Sequence, residues 1–217
     1  MFLTKYFFKI KNRYFPERKF RRPRIWSNKE LKKISHFFTG SIINVSGWKD
    51  YDKQGENYRD YFSSKCSYAI SNYSGDHGFQ GVSGEIYIDQ EEDLKPEYIE
   101  KFDVVFNHTT LEHIYNIKKA FQNLCLLSKD IVIIVVPFLQ ELHYGENYKD
   151  YWRFSPYAIK KLFEENGLKL IYLNANNKKN ESVYIFAVGS KKFENWTGKI
   201  NYINEDCFLR LGNKIIT

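Results

Sequence analysis

Residues 101–153 set the frame for the rest of the chain. Two short apolar runs, 102–106 and 131–136, are rich in Val and Ile and too short for ordinary helices. They read as buried parallel strands. Between them Ile114, Ile117, Ala120, Phe121, Leu124 and Leu127 recur at helical spacing, which gives one apolar face to lay on a sheet. Parallel strands need such a crossover, so this is a strand–helix–strand unit. In open α/β sheets ligands bind beyond the carboxyl ends of the strands. Here those ends carry Asn107, His108, Thr109, Thr110, Glu112 and His113 after the first strand. Pro137, Phe138, His143, Asp150 and Arg153 follow the second.

The same patterning extends in both directions. Residues 41–46, 67–71 and 85–89 are further strands. Ser155 is a helix N-cap before Pro156, with Ala158, Ile159, Leu162 and Phe163 inward and Gly167 at the end. Residues 168–173 and 182–188 form an antiparallel pair at the end of the sheet. Upstream, Ser27 with Glu30 makes a capping box for a helix running to Phe38, with Leu31, Ile34, Phe37 and Phe38 inward and Gly40 closing it. Residues 51–65 form a polar, aromatic loop. Gly75, Gly78, Gly81 and Gly84 punctuate a flexible loop holding His77. It lacks the Lys-Ser/Thr of a phosphate-binding loop.

Composition adds two things. A chain of 217 residues that is 43% apolar suits one globular core. Its net charge of +7 is unevenly spread. Residues 1–33 hold twelve Lys and Arg against two acidic residues, leaving the remainder slightly acidic. Within 1–15, Phe2, Leu3, Tyr6, Phe7, Ile10 and Tyr14 fall at helical spacing. A basic amphipathic helix of this kind packs on the domain or a second subunit, or lies against a membrane surface or an acidic partner. Pro16 and Pro23 bound a basic linker. The division expected is an arm over 1–24, a domain over 25–192 and a tail over 193–217 without a clear period. An acidic body argues against nucleic acid as a partner. Three scattered cysteines suit reduced thiols, and there is no zinc-like cluster, so no metal is expected. No apolar run is long enough to span a bilayer, and no secretory leader is evident, so a cytoplasmic protein is expected.

Five segments in register resemble the class I S-adenosylmethionine (SAM)-dependent methyltransferases, of the type 11 kind. They are Phe102-Asp103-Val104-Val105, Leu111-Glu112-His113, the apolar strand ending at Pro137-Phe138, His143, and Asp150-Tyr151-Trp152-Arg153-Phe154-Ser155. The resemblance covers roughly residues 42–192. It implies an α/β Rossmann-like fold, with a mostly parallel seven-stranded sheet and a C-terminal antiparallel hairpin. It implies SAM as cofactor, lying over Ser46, Gly47 and Trp48. Asn72 or Asp76 would then approach the ribose, Asp89 the adenine, and Asn107, His108 and Thr109 the other side. The family's glycine-rich turn keeps only Gly47 here, and its usual ribose carboxylate is replaced by Asn72. His143 and Glu112 are the candidates for a general base or for orienting the substrate. His113 either binds substrate or holds its loop. Asp150 and Arg153 either pair with each other or leave Arg153 for an anionic substrate group. The implied function is methylation of a small-molecule or glycan-type acceptor, in surface polysaccharide biosynthesis. The other reading is a methyltransferase-like domain that has lost SAM and serves as a binding or scaffold module.

Overall fold

A computed structural model describes residues 19–73 and 78–213. The expected stripe over 1–15, the linker up to residue 18, Gly75, Asp76 and His77 lie outside the described residues.

The strands are β1 (Ser41–Val45), β2 (Ser67–Asn72), β3 (Glu85–Tyr87), β4 (Phe102–His108), β5 (Ser128–Leu139), β6 (Lys169–Ala175), β7 (Val183–Ser190) and β8 (Tyr202–Ile203). They form one sheet in the order β3-β2-β1-β4-β5-β7-β6-β8. The first five are parallel to their neighbours. β7 inserts antiparallel between β5 and β6, and the short β8 adds a parallel edge to β6. Eight strands replace the seven expected, because the tail over 193–213 joins the domain. Besides β8, the tail supplies Trp196, whose indole donates to Asp130 Oδ2 at 2.9 Å, and a short helix at Asp206–Leu209. Phe208 of that helix meets Tyr157 edge-on at 5.1 Å.

The central unit folds as its pattern dictates. β4 and β5 are adjacent, parallel and buried, with Val105 opposite Val132. β5 starts directly at Ser128, without a turn after the crossover helix, and continues past Pro137 to Leu139. Side chains alternate between faces with the strand period of two. Val105, Val132, Ile134 and Val136 meet Phe121 and Leu124 of the crossover helix Ile117–Leu127, and Ile159 and Phe163 of the helix Pro156–Glu165. Val104, Phe106, Ile133 and Val135 face the other way, onto Leu31, Ile34, Tyr58 and Tyr61. Ser155 caps its helix as expected, its hydroxyl accepting from the Ala158 amide at 3.2 Å, but Ala158 itself is exposed.

The first helix, α1, differs from expectation. It spans Arg21–Ile34, so Ser27 is a mid-helix residue rather than an N-cap. Pro23 sits in the first turn, where its missing N–H leaves nothing unsatisfied. Residues 21–24 are therefore helix and not linker. Arg22 pairs with Glu181 at 2.8 Å, so the helix start is tied to the sheet.

Candidate functional site

The carboxyl ends of β1, β2 and β4 meet at the turn that follows β1. Ser46, Trp48 and Asp50 have φ of +59°, +48° and +61°. Left-handed backbone costs an ordinary residue about 1 kcal/mol or more, which is why glycine is the usual choice there. This turn has the winding of a glycine-type loop but builds it from other residues. Gly47 is needed for space: a Cβ there would lie 2.7 Å from the Asn44 side chain. Asn44 in turn donates to Asp50 Oδ1 at 2.8 Å. Burial pushes the Asp50 carboxyl up, against hydrogen bonds from Tyr68, Asn44 and the Arg59 amide that pull it down.

Asn72 clamps the turn. Its Oδ1 accepts from the Trp48 amide at 2.7 Å, and its Nδ2 donates to the Trp48 carbonyl at 3.2 Å and to Glu85 Oε1 at 2.6 Å. It is 3% exposed. Expected as a ribose partner, it is instead used up by the protein. Trp48 holds its ring edge-on to Tyr51 at 6.5 Å. Ser46 Oγ accepts from Gln90 Nε2 at 2.9 Å. Asp89 follows β3, half-buried, with Oδ1 accepting from the Glu91 amide at 2.9 Å. Asn107 is buried and donates to the Val45 carbonyl at 3.0 Å. Among the described residues, Ser71 Oγ, Gln90 Oε1 and Asn107 Oδ1 are buried without hydrogen-bond partners. All three adjoin the turn. Buried polar atoms are normally paired, so these three are hydrogen-bonding groups that the described residues leave unspent.

His108 and Thr109 do not join this group. Strand alternation sends the His108 ring to the α1 face, where Ser27 Oγ meets Nε2 at 2.9 Å and Arg24 meets Nδ1 at 3.3 Å. Thr109 Oγ1 accepts from Arg24 Nη2 at 2.7 Å. Burial, then the nearby Arg24 and Lys53 charges, hold the His108 pKa well below its usual value. The cofactor role expected of these two side chains gives way to anchoring α1. Ser27 and Arg24 are the residues sequence reading missed, and no local pattern pairs them with His108 eighty residues on.

A second group forms beyond β4 and β5. Leu111–His113 makes a short 3-10 turn that places Glu112 inside, 1% exposed. Burial pushes its carboxyl up to about 8. Its Oε1 lies 3.9 Å from His113 Nε2, and its Oε2 has no hydrogen-bond partner among the described residues. His113 Nδ1 donates to the Lys149 carbonyl at 2.8 Å, which is the loop-holding role. Burial lowers its pKa. The His143 ring stands edge-on to His113 at 4.8 Å, and its Nδ1 lies 3.0 Å from Asp150 Oδ2. Asp150 and Arg153 form a bidentate pair, both contacts at 2.5 Å, and Arg153 also donates to the carbonyls of Gln140, Glu141 and Trp152. Burial alone would raise the Asp150 pKa, but the Arg153 and His143 hydrogen bonds overcome it and hold it below its usual value. Arg153 is therefore engaged with the protein, as the internal-pair reading expected. Glu112, His113 and His143 each offer a ligand atom within 4.8 Å of the others. The spacing along the chain gave no sign of this cluster.

Solved structures share this fold. A candidate methyltransferase of Bacillus halodurans is 13% identical, with a TM-score of 0.53, matching 76% of this chain and 98% of its own. A SAM-dependent methyltransferase of Methanosarcina mazei is 9% identical, with a TM-score of 0.52 over 70% and 92% of the two chains. The 1,6-didemethyltoxoflavin-N1-methyltransferase of Burkholderia thailandensis, solved with S-adenosylhomocysteine, is 10% identical, with a TM-score of 0.50 over 77% and 80%. No family model and no curated protein matches the chain. The fold is that of the class I SAM-dependent methyltransferases, mostly parallel with antiparallel C-terminal strands. At this identity the likeness speaks for fold, and activity has to be argued from the site. Among the described residues no helix is long and apolar enough to cross a membrane.

Proposed function

We propose that the chain transfers a methyl group from SAM to an oxygen or nitrogen of a small-molecule or glycan-type acceptor. The observation that carries this reading is the left-handed turn at Ser46 and Trp48, with unpartnered polar atoms of Ser71, Gln90 and Asn107 beside it. These residues fit the donor. Gly47 and the turn's main chain would approach it, Asn107 Oδ1 and Ser71 Oγ would offer hydrogen bonds, and Asp89 would stand at the adenine side. When bound, SAM supplies an electrophilic methyl on a sulfonium, so the protein's task is mainly alignment and removal of one proton. His143 is the group to take that proton. Its Nδ1 lies 3.0 Å from Asp150 Oδ2 and 3.4 Å from the Glu141 carbonyl, both acceptors, which puts the ring proton there and leaves Nε2 with a lone pair. Glu112, largely protonated near neutral pH, orients the acceptor. His113, Asp150 and Arg153 hold the loop in place.

Exposed aromatics flank this end: Tyr115, Tyr144, Tyr151 and Trp152. Such faces suit the apolar side of a sugar ring, which supports a glycan-type acceptor. The basic residues before 19 suit an acidic partner or an anionic membrane surface.

One observation favours the scaffold reading instead. Asn72 is an amide rather than a carboxylate, and its donors are spent on the Trp48 carbonyl and on Glu85. A missing charge-assisted bond weakens donor affinity about ten- to a hundredfold. Calorimetry of the full chain with S-adenosylhomocysteine separates the two readings. The enzyme reading expects weak but measurable heat, reduced by Asp89→Ala and unchanged by Cys207→Ala. No heat at millimolar ligand, with or without acceptors, would leave the scaffold reading standing.

A further inference from the structure

We infer that Glu112, His113 and His143 bind a divalent transition-metal ion through two imidazole nitrogens and one carboxylate oxygen. The three ligand atoms lie within 4.8 Å of one another. Zinc-class ions hold nitrogen and oxygen ligands at about 2.0–2.2 Å, which puts neighbouring donor atoms about 3–3.5 Å apart. Closing the gap takes side-chain rotations on the order of 1 Å, within reach of the existing backbone.

Three features prepare the site. First, the protons on both imidazoles are fixed by outer acceptors. His113 Nδ1 faces the Lys149 carbonyl at 2.8 Å, and His143 Nδ1 faces Asp150 Oδ2 at 3.0 Å. Carbonyl and carboxylate oxygens only accept, so each ring carries its proton on Nδ1 and its lone pair on Nε2. This is the arrangement in which a neutral imidazole ligates metal, with its second nitrogen held by a carbonyl or carboxylate. Second, Glu112 is 1% exposed and its Oε2 has no partner among the described residues. A buried carboxyl oxygen without a hydrogen bond is costly unless something binds it, and an ion bound there would release the carboxyl proton to water. Third, the outer layer is itself locked. Asp150 is pinned by the bidentate Arg153, and Tyr148 packs edge-on against His113 at 4.8 Å.

The ligand set indicates the class of ion. Two imidazoles and a carboxylate suit zinc, cobalt, nickel, iron(II) or manganese better than magnesium or calcium, which prefer all-oxygen shells. Three protein ligands leave open positions for water or an acceptor oxygen. Metal binding itself stands apart from the methyl-transfer reading; only its use in holding an acceptor rests on that reading. In that use the ion takes the place of a proton on His143, and an acceptor hydroxyl held on it loses its proton more readily, to water.

The test uses the full chain, stripped with chelator and titrated with cobalt(II) and zinc chloride in the absence of SAM. One ion per chain is expected, with visible cobalt d–d absorption that zinc displaces. His113→Ala, His143→Ala and Glu112→Gln should each weaken binding at least tenfold. His36→Ala, on an exposed histidine stacked on Phe37, should bind like the parent. Circular dichroism shows which variants remain folded, and Glu112→Gln, nearly isosteric, is the decisive one if a histidine variant unfolds. Absence of binding by the folded parent, or binding that all three variants leave unchanged, overturns the site. Cobalt binding without any S-adenosylhomocysteine binding would uphold the metal site while removing the methyl-transfer reading.

Discussion

The two ends of the sheet's carboxyl edge are built by opposite means. The turn over 46–50 is shaped by main chain, with three non-glycine residues in left-handed conformation and Asn72 bonded to both the amide and the carbonyl of Trp48. The group beyond β4 and β5 is shaped by side chains, with an Asp150–Arg153 pair bracing the loop that brings His143 beside His113 and Glu112. On the first side the clamping amide has both of its donors spent on the protein. On the second, the bracing charges are satisfied and the reactive groups are left unspent.

The contrast can be broken most strongly at the histidine end. Arg153→Ala leaves the Asp150 carboxylate, 1% exposed, without its cation. Removing one partner of a buried pair costs about 3 kcal/mol or more. The thermal midpoint should fall by about 6–12 °C, given about 2–4 °C per kcal/mol in a chain of this size. Affinity for S-adenosylhomocysteine should stay close to the parent's in the folded fraction. An equal loss of donor affinity would show that the two ends are one unit.

The turn end is broken by Asn72→Asp. Reasoning from ribose recognition alone, a carboxylate there should tighten donor binding. The observed bonds predict the reverse. The new carboxylate would face the Trp48 carbonyl and the Glu85 carboxylate, both acceptors. A cost of about 2 kcal/mol is expected, with weaker donor binding. Differential scanning calorimetry and a ligand titration read both quantities. Tighter binding with unchanged stability would mean that Asn72 is free to turn toward a ligand.

The smallest effect sharpens the comparison at the residue between the two ends. The folded-state pKa of His108 lies below its ordinary value near 6.5. The unfolded chain then binds more protons below that pH, so stability is complete above about 6.5 and lost as pH falls through it. The limiting slope is about 1.4 kcal/mol per pH unit for one group. Chemical denaturation between pH 7 and 5 should show the parent losing stability more steeply than His108→Gln. Parallel slopes would place His108 in solvent rather than under α1.

Much of the frame was legible in the sequence. The Val and Ile runs of β4 and β5, the apolar stripe of the crossover helix and the Ser155-Pro156 start are local signals, and the structure follows them. The α1 start was misjudged because Ser27 followed by Glu30 imitates a capping box, whereas both are buried by tertiary contacts. Glu30 Oε2 accepts from Tyr172 at 2.5 Å and from Asn174 at 3.0 Å. The tail over 193–213 has no period of its own because it is held piecewise, by Trp196 on Asp130 and by β8 on β6.

By itself the sequence determined which residues lie at the carboxyl ends of the strands, since hydrophobic period and chain direction fix that locally. It also named every member of the Glu112, His113 and His143 cluster as a site candidate. The tertiary structure alone decided how they are used. Whether Asn72 meets a ligand or a neighbouring peptide, and whether His108 turns to the site or to α1, depends on segments 24 to 84 residues away. Whether two histidines thirty residues apart come beside one carboxyl group depends on how a charged pair folds the loop after β5. Side-chain hydrogen bonding over such separations leaves no periodic trace in the chain, because it is set by packing geometry and not by local backbone preference.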